Sequence, residues 1–209
     1  DPRDLHSFPT RRSSDLNGNA AEPVTRTVTV VDTTKPEITL VGSAEETVEA
    51  KGSYTDAGAS ASDTLDGSLS VSSVSSVNSE AVGSYTVSYS ESDANGNAAE
   101  VVVRTVNVVD TTKPEITLLG NATETVEAKG SYTDAGATAS DTLDGSLSVS
   151  SVSSVNTDVV GSYSVIYSVS DANGNAAEPV TRTVNVVDTT KPEITLLGSG
   201  TEQIGRAHV

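Results

Sequence analysis

Apolar and polar side chains alternate along residues 162–170 and 177–187, and this alternation predicts two β-strands. Serine fills most of the polar positions of the first stretch, while threonine and asparagine fill those of the second. Successive side chains of a strand point to opposite faces, so a period of two residues indicates a strand with one buried face. The apolar members are Tyr163, Val165, Tyr167 and Val169, then Val180, Val184 and Val186.

The loop DANGN, residues 171–175, separates these two stretches. Asn173 and Gly174 form the Asn-Gly pair that suits the two positive-φ positions of a type I′ turn, so the pattern predicts a β-hairpin. Asp144 and Gly145 form a second turn signal, between SYTDAGATAS and SLSVSSV. The chain is therefore expected to consist of short strands joined by tight turns.

A repeat of 78 residues organises the chain. The sequence DTTKPEITL begins at Asp32, at Asp110 and again at Asp188, and residues 32–109 match residues 110–187 at 66 of 78 positions without a gap. A period of this size suits one small domain rather than a helical solenoid unit. We therefore predict two full repeats, 32–109 and 110–187. Residues 17–31 are predicted to be the C-terminal strand of a truncated preceding repeat, and residues 188–202 the first strand of a truncated following one.

Six or seven strands are predicted in the second repeat, and no segment shows a helical period with caps. Short strands with a turn signal about every dozen residues favour an antiparallel β-sandwich. The stretch SLSVSSVSSVN is interpreted as a strand, because it occupies the same place in both repeats. The predicted strands lie near residues 115–119, 123–128, 131–139, 146–152, 155–159, 162–170 and 177–187.

Both ends of the chain depart from the repeat. Residues 1–16 and 203–209 match nothing inside it, and HSFPTRRSSDL and QIGRAHV resemble translated sequencing-adapter DNA. We interpret both ends as non-native tails and leave them out of the fold prediction. They contain both histidines of the chain, so the repeats contain neither histidine nor cysteine.

Composition and charge exclude several functions. The net charge of −17 disfavours nucleic acid and anionic membrane surfaces as partners. No apolar run approaches the roughly 18 residues of a membrane span. Without histidine or cysteine the repeats have no triad and no thiolate site, and their acids lie mostly in turns or on polar strand faces. We therefore expect no catalysis; an enzyme that uses a pair of carboxylates is the remaining alternative.

Three segments carry a resemblance to a known family: DTTKPEITLLG, TVEAKGSYTDAGATASDTLDG and VGSYSVIYSVSDANGNAAEPVTRTVNVVD. They resemble the bacterial immunoglobulin-like repeats of large surface proteins, including the pesticidal-crystal-type module and the related HYR-like repeats. The resemblance covers the chain except its tails. It implies tandem immunoglobulin-like antiparallel β-sandwich domains, an all-β fold, and an extracellular or cell-surface location in bacteria.

Several acids are candidate calcium ligands, because Ca²⁺ binds six to eight oxygens from carboxylates, amides and backbone. In an immunoglobulin-like sandwich the chain entry and two loops, DTLDG and DANGN, meet at one pole. We therefore expect a calcium site there that stiffens the joint between repeats. The alternative is that these residues only stabilise turns. The candidates are Asp110, Asp141, Asp144, Asp171 and Asn173, with the equivalents Asp32, Asp63, Asp66, Asp93 and Asn95.

The function predicted from these features is that of a structural stalk or spacer, with neighbouring repeats of the same chain as its contacts. The alternative is an adhesive module that binds carbohydrate or a partner protein. Three tyrosines of the second repeat, Tyr132, Tyr163 and Tyr167, could form a sugar-binding platform, but core packing is expected for at least two of them.

Overall fold

The computed structural model describes residues 17–198 and residue 200. The expectations for the tails, residues 1–16 and 203–209, lie outside the described residues. The chain forms two compact units, and the boundary between them lies between Val109 and Asp110. The short stretch Glu49–Lys51 is assigned to the second unit.

The described part of the chain contains fourteen short strands and no helix, with seven strands up to and including Val109 and seven at equivalent positions after it. The first seven are β1 (Glu37–Leu40), β2 (Glu45–Glu49), β3 (Ala59–Asp63), β4 (Gly67–Leu69), β5 (Ser72–Ser75), β6 (Gly83–Ser90) and β7 (Val102–Val109). The second seven are β8 (Glu115–Leu118), β9 (Thr123–Glu127), β10 (Ala137–Asp141), β11 (Gly145–Leu147), β12 (Ser150–Ser153), β13 (Gly161–Ser168) and β14 (Val180–Val187).

Two sheets make up each set of seven strands. In the second set the sheets have the orders β11-β10-β8 and β12-β13-β14-β9, and in the first the orders are β1-β3-β4 and β2-β7-β6-β5. The paired strands of the second set run antiparallel, except that β14 runs parallel to β9. This parallel pair arises because the chain, after β8 in one sheet, continues into the other sheet as β9. The all-β sandwich prediction is confirmed.

The core of each sandwich lies between its two sheets and follows the predicted alternation. On β13 the side chains of Val165 and Tyr167 are buried, and on β14 those of Val184 and Val186 are buried. The buried cluster of the second sandwich consists of Ile116, Ala139, Val165, Tyr167, Ala177 and Val184, and the first sandwich has the equivalent cluster.

Three predicted strands differ from the structure. Residues 131–136 form no strand, because this segment turns towards the buried arginine described under the candidate site. Residues 155–159 form a turn in which Asn156 caps the backbone N–H of Asp158. The predicted strand at 146–152 is two strands, because β11 pairs with β10 while β12 pairs with β13 of the other sheet. The chain changes sheets at residues 148–149, which the serine-rich pattern does not reveal.

The partial repeats at the two ends do not form the strands predicted for them. Residues 17–31 and the described part of 188–202 contain no strand, and their apolar side chains are exposed, with Val30 83% and Leu197 99% accessible. The physical reason is the absence of partners: a strand is stable only when neighbouring strands complete its hydrogen bonds and cover its apolar face. The described residues hold no complementary strands for these two segments.

The DANGN turn also differs in type from the predicted one. Gly174 has φ +94°, but Asn173 is not among the residues with positive φ, so a type I′ turn is wrong. In the equivalent loop of the first sandwich, where Gly96 has φ +90°, the N–H of Gly96 donates to the carbonyl of Asp93 at 3.2 Å. This geometry is a type I turn followed by a glycine in the left-handed region, the usual three-residue hairpin loop.

Candidate functional site

The Asp171 carboxylate organises the DANGN loop from inside. Its Oδ1 accepts hydrogen bonds from the backbone N–H groups of Asn173 (2.9 Å) and Asn175 (2.8 Å), and its Oδ2 accepts one from the Asn175 side-chain amide (2.7 Å). Burial raises the pKa of Asp171, but these hydrogen bonds outweigh burial and lower the pKa overall. The loop therefore holds a buried, ionised carboxylate.

The Asp141 carboxylate organises the DTLDG loop in a similar way, but it is only half satisfied. Its Oδ1 accepts from the backbone N–H groups of Leu143 (2.7 Å) and Asp144 (3.1 Å). Its Oδ2 is buried and has no hydrogen-bond partner, and the residue is 9% exposed. Asp63 of the first sandwich repeats this arrangement: it is 8% exposed and its Oδ2 has no partner.

Hydrogen bonds join these two loops to the chain that enters the second sandwich. Asp144 Oδ2 accepts from the backbone N–H of Ala172 at 2.8 Å, which links DTLDG to DANGN. Asp110 Oδ2 accepts from the Asn173 side-chain amide at 2.8 Å, which links the entering chain to DANGN. The structure therefore brings the chain entry and both loops to one end of the sandwich, as the sequence predicted.

Carboxylate oxygens converge at this end in both sandwiches. One oxygen each from Asp110, Asp141 and Asp144 lie within 4.8 Å of one another, and the corresponding group of the first sandwich is Asp32, Asp66 and Asp93. The candidates outside these groups lie in the same loops: Asp171 and Asn173 in DANGN, Asp63 in DTLDG, and Asn95, whose amide donates to Asp32 at 3.2 Å. Such a set of oxygen donors suits a hard cation such as Ca²⁺.

A buried arginine is the feature that the sequence prediction missed. Arg182 lies on β14 and is fully buried. It donates from Nη1 to Asp134 and from Nη2 to the Leu119 carbonyl. It also donates from Nη2 to the Gly136 carbonyl (3.1 Å) and from Nε to the Asn121 carbonyl (3.0 Å). Because β14 belongs to one sheet while these carbonyls flank strands of the other, the guanidinium ties the two sheets together.

Two tyrosines complete the arginine network. The hydroxyls of Tyr167 and Tyr132 donate to Asp134 at 2.6 Å and 2.9 Å, and the guanidinium of Arg182 lies 5.7 Å from the Tyr167 ring centroid. Burial and the Asp134 carboxylate raise the pKa of Tyr167 to about 12. Burial raises the pKa of Asp134, but the tyrosine hydroxyls and Arg182 lower it overall. Arg104, Asp56, Tyr89 and Tyr54 form the same network in the first sandwich.

The sequence did contain a signal for this network. Position 182 falls on the buried face of the alternating stretch VTRTVNVV, where an apolar residue is expected, and arginine stands at the same place at positions 26, 104 and 182. Buried arginines are rare unless they are paired, so an arginine on an apolar face indicates a buried acid opposite it. Asp134 lies too far away along the chain for any local pattern to identify it as that acid.

A third arrangement that both sandwiches share fixes the chain that leaves the second sandwich. Glu127 at the end of β9 accepts from the backbone N–H and hydroxyl of Thr189 (2.8 and 2.7 Å) and from those of Thr190 (3.1 and 2.8 Å). Glu49 accepts the same four hydrogen bonds from Thr111 and Thr112. We call the contact of Glu127 with the two threonines the exit clasp.

The hydrogen bonds of the exit clasp lower the pKa of the Glu127 carboxyl group. Hydrogen bonds from the Thr189 side chain and backbone, and then from Thr190, lower the pKa of Glu127 to about 2 from an ordinary value of 4.5. Since the folded pKa is the lower one, the clasp stabilises the fold fully above pH 4.5 and loses this contribution as the pH falls through 2. We expect ¹³C NMR of the side-chain carboxyl to show a midpoint near pH 2.

The Thr189→Val variant is the matched test of that cause, since it keeps the shape and removes one hydroxyl donor. Its Glu127 midpoint should move upwards, towards 4.5. A midpoint near 4.5 already in the unchanged chain would show that the clasp does not form in solution.

Comparison with known proteins agrees with this architecture. Two seven-stranded sandwiches in tandem, each with two packed sheets, define a pair of immunoglobulin-like domains. The chain belongs to the family described as bacterial surface protein, Ig-like domain, whose model matches residues 38–108 and 116–186. This membership confirms the resemblance and places the repeats at the bacterial cell surface or outside the cell.

One relative and two solved structures add context. Hyalin of Strongylocentrotus purpuratus is 34% identical over 199 residues; the match covers 87% of this chain and only 16% of hyalin. A lipoprotein of Bacteroides thetaiotaomicron aligns with a TM-score of 0.33 at 25% identity, covering 38% of this chain and 40% of that one. The M60 catalytic domain with the CBM51-1 and CBM51-2 domains of Clostridium perfringens ZmpB aligns with a TM-score of 0.39 at 15% identity, covering 90% and 34%. Both TM-scores are low, and neither structure supports an inference about function.

None of the described residues belongs to a helix that is long and apolar enough to cross a membrane.

Proposed function

We propose that these repeats are spacers: structural units of a bacterial surface protein that carry other domains and perform no catalysis of their own. The proposal includes the predicted division into repeats 32–109 and 110–187. The family consists of domains of bacterial surface proteins. The contacts inside each repeat are what support the more specific role of a spacer.

The observation that carries this proposal is that each core is made only from its own repeat. The first buried cluster runs from Ile38 to Val106 and the second from Ile116 to Val184. Each repeat also contains its own arginine network, centred on Arg104 or Arg182. A unit that completes its own core can be added to an array without changing the others, which suits a stalk built from near-identical copies.

The exit clasp supports the same role. Glu127 fixes both threonines of the outgoing DTT segment, so the chain leaves β14 in a defined direction rather than through a loose linker. A fixed exit and like charge on successive repeats both favour an extended array over a collapsed one.

The adhesive alternative receives less support. A sugar platform needs exposed aromatic rings, and all six tyrosines of the chain, which all lie in its described part, are buried or half-buried. Tyr167 is 1% exposed, and Tyr163 donates its hydroxyl to the Val159 carbonyl. These contacts favour structural roles for the aromatic residues, so we prefer the spacer function.

The spacer function predicts how an array grows. Small-angle X-ray scattering of one, two and four linked copies of residues 110–187 should show a maximum dimension that rises by a constant amount per copy. Strands of 8 residues span about 26 Å, so we expect an increment on the order of 30 Å. An increment that shrinks with each added copy would mean that the repeats collapse on one another, and the spacer role would be wrong.

A further inference from the structure

The acidic end of each sandwich contains a buried oxygen that the protein itself leaves without a partner. Asp141 Oδ2 accepts no hydrogen bond although the residue is nine-tenths buried, and Asp63 Oδ2 repeats this in the other sandwich. A buried polar group without a partner is destabilising by about 1–3 kcal/mol, and more when it is charged. The turn role of Asp141 does not explain this oxygen, because Oδ1 alone accepts both backbone N–H groups of the DTLDG turn.

Other carboxylates lie close to the Asp141 carboxylate. Oxygens of Asp110 and Asp144 lie within 4.8 Å of an oxygen of Asp141, and carboxylates this close repel one another unless a cation or a proton lies between them. Lys113, the basic residue that lines the depression beside Asp141, pairs with Glu178 at 2.7 Å. A cation bound among the three carboxylates would reduce their mutual repulsion.

The spacing of the oxygens suits Ca²⁺. Ca²⁺–oxygen distances are about 2.3–2.6 Å, so two ligands on opposite sides of the ion lie about 5 Å apart and adjacent ones lie closer. Three carboxylate oxygens within 4.8 Å of one another fit around one such ion. Mg²⁺ requires a smaller octahedral shell and retains its water more strongly, so this loop-built carboxylate cluster favours Ca²⁺.

The cluster keeps spare acceptor capacity after its internal hydrogen bonds. Asp110 uses each oxygen once, for the backbone N–H of Thr112 and the amide of Asn173, and Asp144 uses Oδ2 for Ala172. An ionised carboxylate has about four lone-pair sites, so these groups can accept a cation without breaking those bonds. A surface depression adjoins Asp141, and its other lining residues are Thr112, Lys113, Glu115, Ser140 and Thr142.

We propose that each sandwich binds one Ca²⁺ ion at this end, between the entering chain and the DTLDG and DANGN loops. The ligands are Asp110, Asp141 and Asp144 in the second sandwich, with Asp171 beside them, and Asp32, Asp63, Asp66 and Asp93 in the first. The bound ion supplies the missing partner of Asp141 and Asp63 and ties three segments of one sandwich together. This proposal does not depend on the spacer function, since an adhesive module would use the same ion.

Isothermal titration calorimetry of the full chain with CaCl₂, after chelator treatment, tests the proposal. We expect two sites per chain, with dissociation constants on the order of 10⁻⁴–10⁻³ M, the range of extracellular calcium modules. The Asp141→Asn variant should retain one site, and the double variant Asp63→Asn/Asp141→Asn should retain none. The matched control is Asp158→Asn, an exposed acid paired with Lys129 outside the cluster, which should retain both sites.

Thermal unfolding separates metal binding from a structural effect of the substitutions. At a calcium concentration about ten times the dissociation constant, the unchanged chain should melt about 5–10 °C higher than in EDTA at matched ionic strength. In EDTA the double variant should melt at the same temperature as the unchanged chain or higher, because it has lost two unpartnered charges. Calcium should not shift its melting.

Three results would overturn the proposal. The first is the absence of calcium heat and of a calcium-dependent melting shift in the unchanged chain. The second is a loss of calcium binding in Asp158→Asn as large as in Asp141→Asn, which would indicate a diffuse charge effect. The third is an equal melting shift with Mg²⁺ at the same concentration, which would indicate screening rather than a calcium site.

Discussion

Replacing Arg182 with methionine is expected to destabilise the second repeat strongly, to the point of unfolding it if its stability is at the low end of the usual range, while the first repeat keeps its stability. Methionine fills most of the space of the arginine stem but provides none of its donors. The Asp134 carboxylate then loses its buried cation, and the carbonyls of Leu119, Asn121 and Gly136 lose their donor. Breaking a buried ion pair by removing one partner costs about 3–5 kcal/mol. A repeat of 78 residues has a total stability of only about 4–12 kcal/mol.

Urea denaturation followed by NMR of backbone amides measures this effect separately in each repeat. We expect the midpoint of the second repeat to fall steeply or its folded signals to vanish, while the signals of the first repeat keep their midpoint. The reciprocal variant, Arg104→Met, should lower the midpoint of the first repeat and leave that of the second repeat unchanged. Arg26→Met is the matched control, because Arg26 occupies the equivalent sequence position but lies in an exposed segment without strands, and it should change neither midpoint.

Two results would contradict this interpretation of the arginine network. If Arg182→Met leaves the second repeat as stable as before, the network does not hold the two sheets together. If the same variant unfolds both repeats together, the repeats are not separate cooperative units, and the proposed division of the chain fails.

The sequence predicted the fold well where its pattern reflected local geometry. Alternation along residues 162–170 and 177–187 corresponds to β13 and β14, and the turn at Asp144-Gly145 joins β10 to β11. The sequence also predicted that the acids of the DTLDG and DANGN loops meet at one end, since the chain entry and these two loops gather at one pole of an immunoglobulin-like sandwich. The type of the DANGN turn was wrong because the Asp171 carboxylate, rather than the Asn-Gly pair alone, sets its geometry.

Identical local sequence does not fix a strand, and the chain itself demonstrates this. The segment PEITLLG contains β8 at residues 115–118, yet the same letters form no strand at residues 192–198. Ile116 is 9% exposed, whereas its equivalent Ile194 is 89% exposed. Only the former has β10 to pair with, so long-range pairing decides which copy becomes a strand. No local pattern carries that information.

The arginine network was missed for a related reason. A buried cation becomes predictable only when its distant partner is known, and Asp134 lies 48 residues from Arg182 in a segment that was predicted to be a strand. Residues 131–136 pair with no strand, because the Asp134 carboxylate and the Gly136 carbonyl face the Arg182 guanidinium and accept its hydrogen bonds. Tertiary contacts therefore override the local strand pattern at residues 131–136.

The second large effect is expected from cutting the chain. Residues 110–190 contain all seven strands, the arginine network and both threonines of the exit clasp, so this fragment should fold alone. A shorter fragment, 110–178, lacks β14 and with it Arg182, Val184 and Val186, and should be unfolded. Losing β14 also removes the partner of both β13 and β9, so the four-stranded sheet cannot form.

The ¹H–¹⁵N spectrum of residues 110–190 is the most direct test of the central claim that each repeat is a self-contained unit. We predict well-dispersed amide signals that superimpose on those of the same residues in the full chain, apart from residues near the cut, together with one cooperative unfolding transition. A collapsed spectrum with the narrow amide dispersion of an unfolded chain would contradict the claim, because the repeat would then depend on its neighbour for its fold.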